Sequence, residues 1–254
     1  MKKIILILFI AIFSVWFVNG TLAQGNAIKF RGNPGDQVQA KDSPSLDISG
    51  KEFTMEAWVY PTGVGSYIII VNKENSWEMA LHNGVLMYAI SAPTWTWWGQ
   101  GNVELNKWSH TAVTYDGTET VGWLNGKKVN STKENSANIN PTNEPFNIGW
   151  RPFDTHYPFF GIIDDVRISK AVRYTKDFKV PDRQFETDKD TVALYHLDEG
   201  KGKATKDASG NKNDAELIGG PEWVKSDAPF ATAVNPGDKL ATVWCAVKGF
   251  RYHE

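Results

Sequence analysis

The segment 108–129, WSHTAVTYDGTETVGWLNGKKV, carries the clearest fold signal in the chain. Residues 108–115 are rich in aromatic and β-branched residues and end at Asp116-Gly117. Residues 120–124 lead into Asn125-Gly126, and a third apolar position, Val129, follows. Asn-Gly favours a tight hairpin turn, because both central residues of a type I′ turn need positive φ. The segment therefore predicts consecutive antiparallel strands joined by tight turns.

The same pattern recurs along most of the chain. Further strands are predicted at 53–60, 66–71, 77–81, 85–90, 146–149, 161–169 and 191–197. Strands at short, even spacing with turn signals between them are typical of sandwiches and barrels. No long segment shows a helical period, and alternating βαβ units are absent. We predict an all-β fold, an antiparallel two-sheet β-sandwich in one domain.

The two ends of the chain differ from this pattern. Lys2 and Lys3 precede an apolar run at 4–18, and Thr21-Leu22-Ala23 offers small residues at a cleavage site. We predict a signal peptide at 1–23, the sandwich domain at 24–230 and a C-terminal tail of unknown role at 231–254. The apolar run is shorter than the ~20 residues of a membrane-spanning helix, so we expect no membrane span after cleavage. The predicted location is secreted and extracellular, or periplasmic.

Charge and cysteine content narrow the function classes. The chain has 27 Lys and Arg against 29 Asp and Glu, and two of the lysines lie in the predicted signal peptide. No basic cluster is present, so we expect no nucleic-acid partner. The single cysteine, Cys245, cannot form an internal disulfide. The domain must be stabilised by its core or by a bound metal.

Four segments together resemble a known family. They are AIKFRGNPGDQVQAKDSPSLDIS (27–49) followed by FTMEAWVYP, the segment KWSHTAVTYDGTETVGWLNGKKV (107–129), FFGIIDDVRISKAVRY (159–174) and VALYHLDEGKGKATKDASGNKNDAELIGGPEWV (192–224). The chain resembles laminin-G-like jelly-roll domains of the concanavalin A-like lectin/glucanase superfamily over roughly 26–224, although in many members the last segment comes first. The resemblance implies a jelly-roll sandwich that binds extracellular glycans or proteins, often with one structural calcium ion at its rim.

The superfamily also contains glycoside hydrolases, which need two carboxyl groups facing one sugar ring. The glucanase pattern Glu-x-Asp-x-x-Glu does not occur in this chain. Glu74 and Glu78 are the nearest pair, but their spacing does not place both on one face of a strand. Asp164 and Asp165 are adjacent, so a strand would point them to opposite faces. We predict a non-catalytic protein, with a hydrolase of unrecognised site as the remaining alternative.

Three aspartates are the candidate metal ligands. Asp164 shares a strand face with three apolar residues, and a buried carboxylate must be paired, hydrogen-bonded or metal-bound. Asp36 and Asp207 lie in Gly- and Asn-rich turns, where calcium finds flexible oxygen ligands. The resemblance suggests a structural calcium ion held by Asp36 and Asp164, with Asp207 as a further ligand. The alternative is that these aspartates only cap turns or accept backbone N–H bonds.

Two tryptophan-containing connections are the candidate ligand sites. The first holds Trp95, Trp97, Trp98 and Gln100 between Pro93 and Gly101, and the second holds Trp150, Arg151, His156 and Tyr157. An exposed indole can pack against the C–H face of a sugar, while neighbouring polar groups bond its hydroxyls. We predict an extracellular glycan or glycoprotein as the partner. Two alternatives stay open: the rings close the end of the core, or they form a hot spot for protein adhesion.

Overall fold

The computed structural model describes residues 25–133, 137–151 and 158–230, and the predicted signal peptide and tail lie outside them. This part of the chain contains sixteen β-strands. No helix within it is long and apolar enough to cross a membrane. The strands are β1 Asn26–Arg31, β2 Gln37–Ala40, β3 Phe53–Pro61, β4 Ile68–Lys73, β5 Trp77–His82, β6 Val85–Ile90, β7 Trp97–Asn102, β8 Ser109–Tyr115, β9 Glu119–Leu124, β10 Lys127–Lys133, β11 Phe146–Ile148, β12 Phe160–Ser169, β13 Thr191–Tyr195, β14 Ala204–Thr205, β15 Ala215–Ile218 and β16 Glu222–Lys225.

The strands form two eight-stranded antiparallel sheets. Sheet A has the order β10-β9-β8-β3-β12-β1-β16, with β13 also paired to β12. Sheet B has the order β14-β15-β2-β11-β4-β5-β6-β7. The prediction of an antiparallel two-sheet sandwich is confirmed. β7 ends sheet B, which places the first tryptophan connection at a sheet edge.

The core lies between the two sheets and is rich in aromatic side chains. Trp77 of sheet B is fully buried, with its ring 5.2 Å from that of Phe53 in sheet A and 5.5 Å from that of Phe146. Side chains alternate along each strand, so every second residue points away from this core. The outward-facing residues of each sheet therefore decide which surface remains for a ligand.

The Asn-Gly turns form as the sequence predicts. Asn83 and Gly84 have φ of 50° and 84°, and Asn125 and Gly126 have φ of 50° and 76°. Glycine is also required at 126 for space, because a Cβ there would lie 2.1 Å from the carbonyl oxygen of Phe178. The turn thus fixes both the β9–β10 hairpin and the segment that crosses over it.

The outer face of sheet A is covered by the chain itself. Segments that follow β12 and β16 lie against it, and Phe185, Ala228 and Phe230 pack with Trp58 and Leu194 in a second apolar cluster. Asp165 and Arg167 lie under this covering and not on the surface of the sandwich. A register shift in β12 between Asp164 and Arg167 changes the facing of these residues, and both are buried.

A buried carboxylate, Glu56, holds the covering segment in place. It accepts hydrogen bonds from His110 (3.1 Å), from Tyr174 (2.6 Å) and from Arg167 Nε (2.8 Å). Burial alone raises the pKa of Glu56, but the bond from His110 and the charge of Arg167 outweigh it and lower that pKa to about 2. Glu56 is therefore ionised at neutral pH and links three strands of sheet A, β3, β8 and β12, to the covering segment.

We expect Glu56→Gln to lower the free energy of unfolding by about 3–5 kcal/mol, because it leaves the buried Arg167 without its carboxylate. In the wild type, a carboxyl whose pKa is lowered by folding stabilises the fold above its unfolded pKa of 4.5, and this stability is lost as the pH falls toward 2. Denaturant unfolding between pH 7 and pH 3 measures both effects. A variant as stable as the wild type at pH 7 would contradict this role of Glu56.

Candidate functional site

Edge strand β7 presents two adjacent tryptophans to opposite sides of sheet B. Trp98 is paired in register with Tyr88, a core residue, so it lies on the core-facing side, where 38% of it is exposed. Trp97 is paired with Ala89 and lies on the outer face, where it is half-buried. The two predicted binding residues therefore belong to different surfaces, and only Trp97 faces outward from sheet B.

Four rings form a cluster on this outer face, which we name the aromatic cluster. The ring of Trp97 lies 5.9 Å from that of Trp95 in an edge-to-face arrangement, and 4.7 Å from that of Tyr67. The ring of Tyr67 lies 4.6 Å from that of His82. All four side chains are half-buried, so each shows part of its surface to solvent. Paired rings of this kind hold one another in fixed positions.

Sequence reasoning missed Tyr67 and His82. Tyr67 lies just before β4 with φ of 55°, a conformation that bulky residues seldom adopt and that is enriched at functional sites. His82 ends β5 beside the Asn83-Gly84 turn. The available signal was the Asn-Gly turn, which places His82 at the mouth of a hairpin. The contact of Tyr67 depends on the register between β4 and β5, which the sequence does not reveal.

A row of polar side chains crosses the same face beside the aromatic cluster. The register aligns Gln39, Asn147, Asn72 and Glu78 on successive strands, and continues to Ala89 and then Trp97. Gln39 Nε2 donates to Asn147 Oδ1 at 2.9 Å, and Asn72 Nδ2 donates to Glu78 Oε2 at 2.7 Å. We name Gln39, Asn147, Asn72 and Glu78 the polar row.

Two glutamates and an arginine meet at the end of the polar row. Glu74 and Glu78 both accept hydrogen bonds from Asn72 Nδ2, at 3.3 and 2.7 Å. Arg151 Nε lies 3.1 Å from Glu74 Oε2, and Arg151 Nη1 lies 3.8 Å from Glu78 Oε2. The expectation that Glu74 and Glu78 cannot share a face is wrong. Glu74 follows the end of β4 and lies in the turn before β5, where the alternation of a strand does not apply.

The burial of this cluster changes the ionisation of Glu78. Its side chain is fully buried, while those of Glu74 and Arg151 are 11% and 23% exposed. Burial raises the pKa of Glu78 to about 8, and the charge of Glu74 adds to this effect against the opposing charge of Arg151. Glu78 Oε1 and Asn72 Oδ1 are buried with no hydrogen-bond partner among the residues the structure describes. The protonated form of Glu78 is therefore favoured at pH 7.

The remaining predicted ligand-binding residues fall in different places. Gln100 is exposed on edge strand β7. Trp150 is half-buried after β11, and its Nε1 atom is buried without a hydrogen-bond partner in the described parts of the chain. Arg151 joins the acidic pair, which brings part of the second connection to the same face as Trp97. His156 and Tyr157 lie outside the described residues.

The three predicted calcium ligands are not brought together. Asp36 accepts from Gly220 N at 2.7 Å and from Asn33 Nδ2 at 3.1 Å. Asp164 accepts from Ser226 Oγ at 2.6 Å and from the backbone N–H of Asp165 at 2.8 Å. These donors occupy the carboxylate oxygens that a metal would need.

Asp207 has a third set of partners, the backbone N–H groups of Leu194, Ser209 and Asn213. Within residues 25–133, 137–151 and 158–230, no group of three His, Cys, Asp or Glu side chains is placed to hold a metal. The arrangement of Asp36, Asp164 and Asp207 thus does not fit one calcium ion, and each acts as a local cap. A calcium ion in this domain stays a prediction.

The fold and this face define a β-sandwich of the lectin type. The family model described as the concanavalin A-like lectin/glucanases superfamily, of the laminin G type, matches residues 31–177, more than half of the chain. The chain therefore belongs to this family, as the sequence motifs predicted. The comparison with curated proteins gives no match.

Solved structures with the same fold are distant in sequence. A candidate carbohydrate-binding protein from Bacteroides ovatus is similar with a TM-score of 0.64 and 21% identity, over 84% of this chain and 63% of that one. Domain 4 of an extracellular arabinanase from Geobacillus stearothermophilus, in complex with arabinotriose, has a TM-score of 0.45 and 22% identity, over 57% and 71%. Mouse laminin α1 domains LG4-5 have a TM-score of 0.45 and 11% identity, over 62% and 47%. The chain spans under two thirds of the length of the Bacteroides ovatus protein, and at 21% identity that likeness supports the fold alone.

We expect Glu78→Gln to remove a pH dependence of stability. A carboxyl whose pKa is raised by folding, from 4.5 to about 8, binds a proton in the folded state that the unfolded state has released. As the pH rises from about 5 to about 8, the free energy of unfolding of the wild type should fall relative to that of the variant, by up to about 1.4 kcal/mol per pH unit. Urea unfolding of both proteins across this range measures the difference. Parallel pH profiles would contradict the raised pKa.

Proposed function

We propose that this domain is a non-catalytic carbohydrate-binding module whose site is the outer face of sheet B. The observation that carries the proposal is the half-exposed aromatic cluster of Trp95, Trp97, Tyr67 and His82 beside the polar row. The outer face of sheet A is covered by the chain's own segments, whereas the aromatic cluster at the β7 edge of sheet B is partly exposed.

The chemistry of this face suits a sugar. The C–H groups of a pyranose or furanose ring pack against aromatic rings, and its hydroxyls need hydrogen-bonding groups at the border of the apolar surface. Trp97 provides the ring surface, and Arg151 and Glu74 are polar groups on the same face with access to solvent. The rings are fixed by one another, so little entropy is lost when a ligand packs on them.

A glycoside hydrolase is the second candidate, and one observation favours it. Glu74 and Glu78 lie close together, and burial raises the pKa of Glu78, as it would for a catalytic acid beside a second carboxyl group. Arg151 is paired with Glu74, however, and neutralises the carboxylate that would have to attack. We therefore favour binding without cleavage. Release of reducing ends from a bound oligosaccharide, lost in Glu78→Gln, would favour the hydrolase instead.

We also propose that the domain acts outside the cytoplasm. The positive start, the apolar run at 4–18 and the small residues at 21–23 support export by a signal peptide. Export would bring the sandwich into contact with the glycans of surfaces and matrices. Mass spectrometry of the mature N-terminus tests this proposal, and an intact residue 1 on the exported protein would count against it.

We expect Trp97→Ala to weaken glycan binding by about 30-fold or more, because a central aromatic contact commonly accounts for 2 kcal/mol of binding free energy. Trp98→Ala is the matched control, since it removes an adjacent indole on the opposite side of the same strand. This control should change the affinity by less than about threefold. A glycan array followed by titration calorimetry on residues 24–254 measures both variants.

Three outcomes would contradict the proposal. A blank array for folded protein would move the function to protein adhesion, tested next by a pull-down from extracellular extract. Equal losses in Trp97→Ala and Trp98→Ala would place the ligand elsewhere. A melting temperature lowered far more by Trp97→Ala than by Trp98→Ala, with binding intact, would make Trp97 a structural residue. Repeating the array in chelator shows whether binding needs calcium.

A further inference from the structure

Two oxygen atoms at the end of the polar row lack partners. Asn72 Oδ1 and Glu78 Oε1 are buried, and no described residue hydrogen-bonds to either. Both side chains use their other polar atom for the 2.7 Å bond between them. A buried polar atom without a partner costs about 1–3 kcal/mol, and such atoms are few in folded proteins. These two atoms therefore point to a group supplied from outside the protein.

The unpartnered atoms lie on the same face as the aromatic cluster. Glu78, Ala89 and Trp97 occupy one row on three successive strands. At a strand spacing of about 4.8 Å, Trp97 lies about 10 Å from Glu78. Ala89 contributes only a methyl group between them. This separation is comparable to the length of two linked sugar rings.

The charges around Asn72 Oδ1 and Glu78 Oε1 limit which chemical group of a ligand can bind to them. An anion is disfavoured because it would lie next to the carboxyl groups of Glu74 and Glu78. A metal ion is disfavoured because it would lie next to the positively charged guanidinium of Arg151. A hydroxyl group both donates and accepts, so it can bond Asn72 Oδ1 and either form of the Glu78 carboxyl. A neutral hydroxyl group therefore fits best.

We propose that Glu78 and Asn72 form a hydroxyl-binding subsite, and that the ligand is a neutral oligosaccharide. This inference rests on the proposed function. One sugar ring packs on Trp97, and hydroxyls of a neighbouring ring bond Glu78 Oε1 and Asn72 Oδ1. Arg151 lies between the subsite and solvent. Its distance to Glu78 is 3.8 Å, longer than its 3.1 Å distance to Glu74, so its contact with Glu78 is the weaker one. A sugar can displace the guanidinium from Glu78 while Arg151 keeps its ion pair with Glu74.

The test pairs variants of the protein with deoxy forms of the ligand. The probe is a panel of neutral trisaccharides, each also made as its monodeoxy forms. Wild-type affinity should fall about tenfold when the bonded hydroxyl is missing. Glu78→Leu should bind the parent trisaccharide about tenfold more weakly and no longer distinguish that deoxy form. Glu78→Gln keeps polar atoms in place and should lose less than Glu78→Leu.

Controls separate this subsite from a structural effect. Glu186→Leu replaces an exposed glutamate on the segment that covers sheet A, and its affinity and deoxy profile should match the wild type. Should Glu78→Leu fail to fold, Asn72→Ala enters the same series.

Each of the other possible results contradicts a different part of the proposal. A deoxy profile unchanged in Glu78→Leu, or in Asn72→Ala, overturns the subsite but leaves glycan binding at Trp97 in place. Binding confined to carboxylated or sulfated trisaccharides overturns the neutral ligand. Failure of the wild type to bind any saccharide overturns the proposed function as well.

Discussion

The hydrogen bonds and ion pair of the ionised Glu56 carboxylate are the interactions that keep sheet A covered. A two-sheet sandwich has two outer faces, and each must be solvated, covered or bound by a partner. Glu56 fixes Arg167, His110 and Tyr174 in one buried network, and the segment after β12 lies over sheet A as a result. Sheet A is thereby closed by the chain itself. The ligand site is proposed on sheet B because a polar interaction holds the chain's own segments over sheet A.

The outer face of sheet B carries small apolar residues next to buried polar side chains, a combination that is rare in a stable core. Small apolar residues, Ala80 and Ala89, lie among a fully buried acid, an asparagine and a set of half-exposed rings. Such a face contributes little to stability, because its polar groups must be desolvated and are only partly satisfied. It makes physical sense where a ligand completes the hydrogen bonds. The same reasoning separates this face from the interior, where Trp77 packs against rings on both sides.

Much of the fold could be predicted from local chemistry, and the site only in part. Asn-Gly turns and β-branched runs are local signals, so the hairpins and the two-sheet class followed from them directly. Trp97 was predicted to lie on a surface connection together with Trp98, whereas the structure places both in edge strand β7. Only the pairing of Trp98 with Tyr88 shows that it points the other way. The meeting of Glu74 with Glu78 was excluded by a rule for strands, yet Glu74 lies in a turn. The predicted calcium ligands followed the resemblance, whereas hydrogen bonds to nearby backbone groups occupy those aspartates. Strand register decided the facing of Trp98, and the positions of turns and of backbone N–H groups decided the other two cases.

The first and last described strands of sheet A lie side by side. β1 is paired with β16 at one edge of the sheet, with Asn26 opposite Lys225. The first and last strands therefore lie together at one edge of sheet A, and β7 forms an edge of the other sheet. A domain of this shape can be inserted into a surface loop of a larger protein as readily as it can be attached at one end. The edge formed by β1 and β16, where such a domain would be attached, lies apart from β7, the strand that carries the tryptophans.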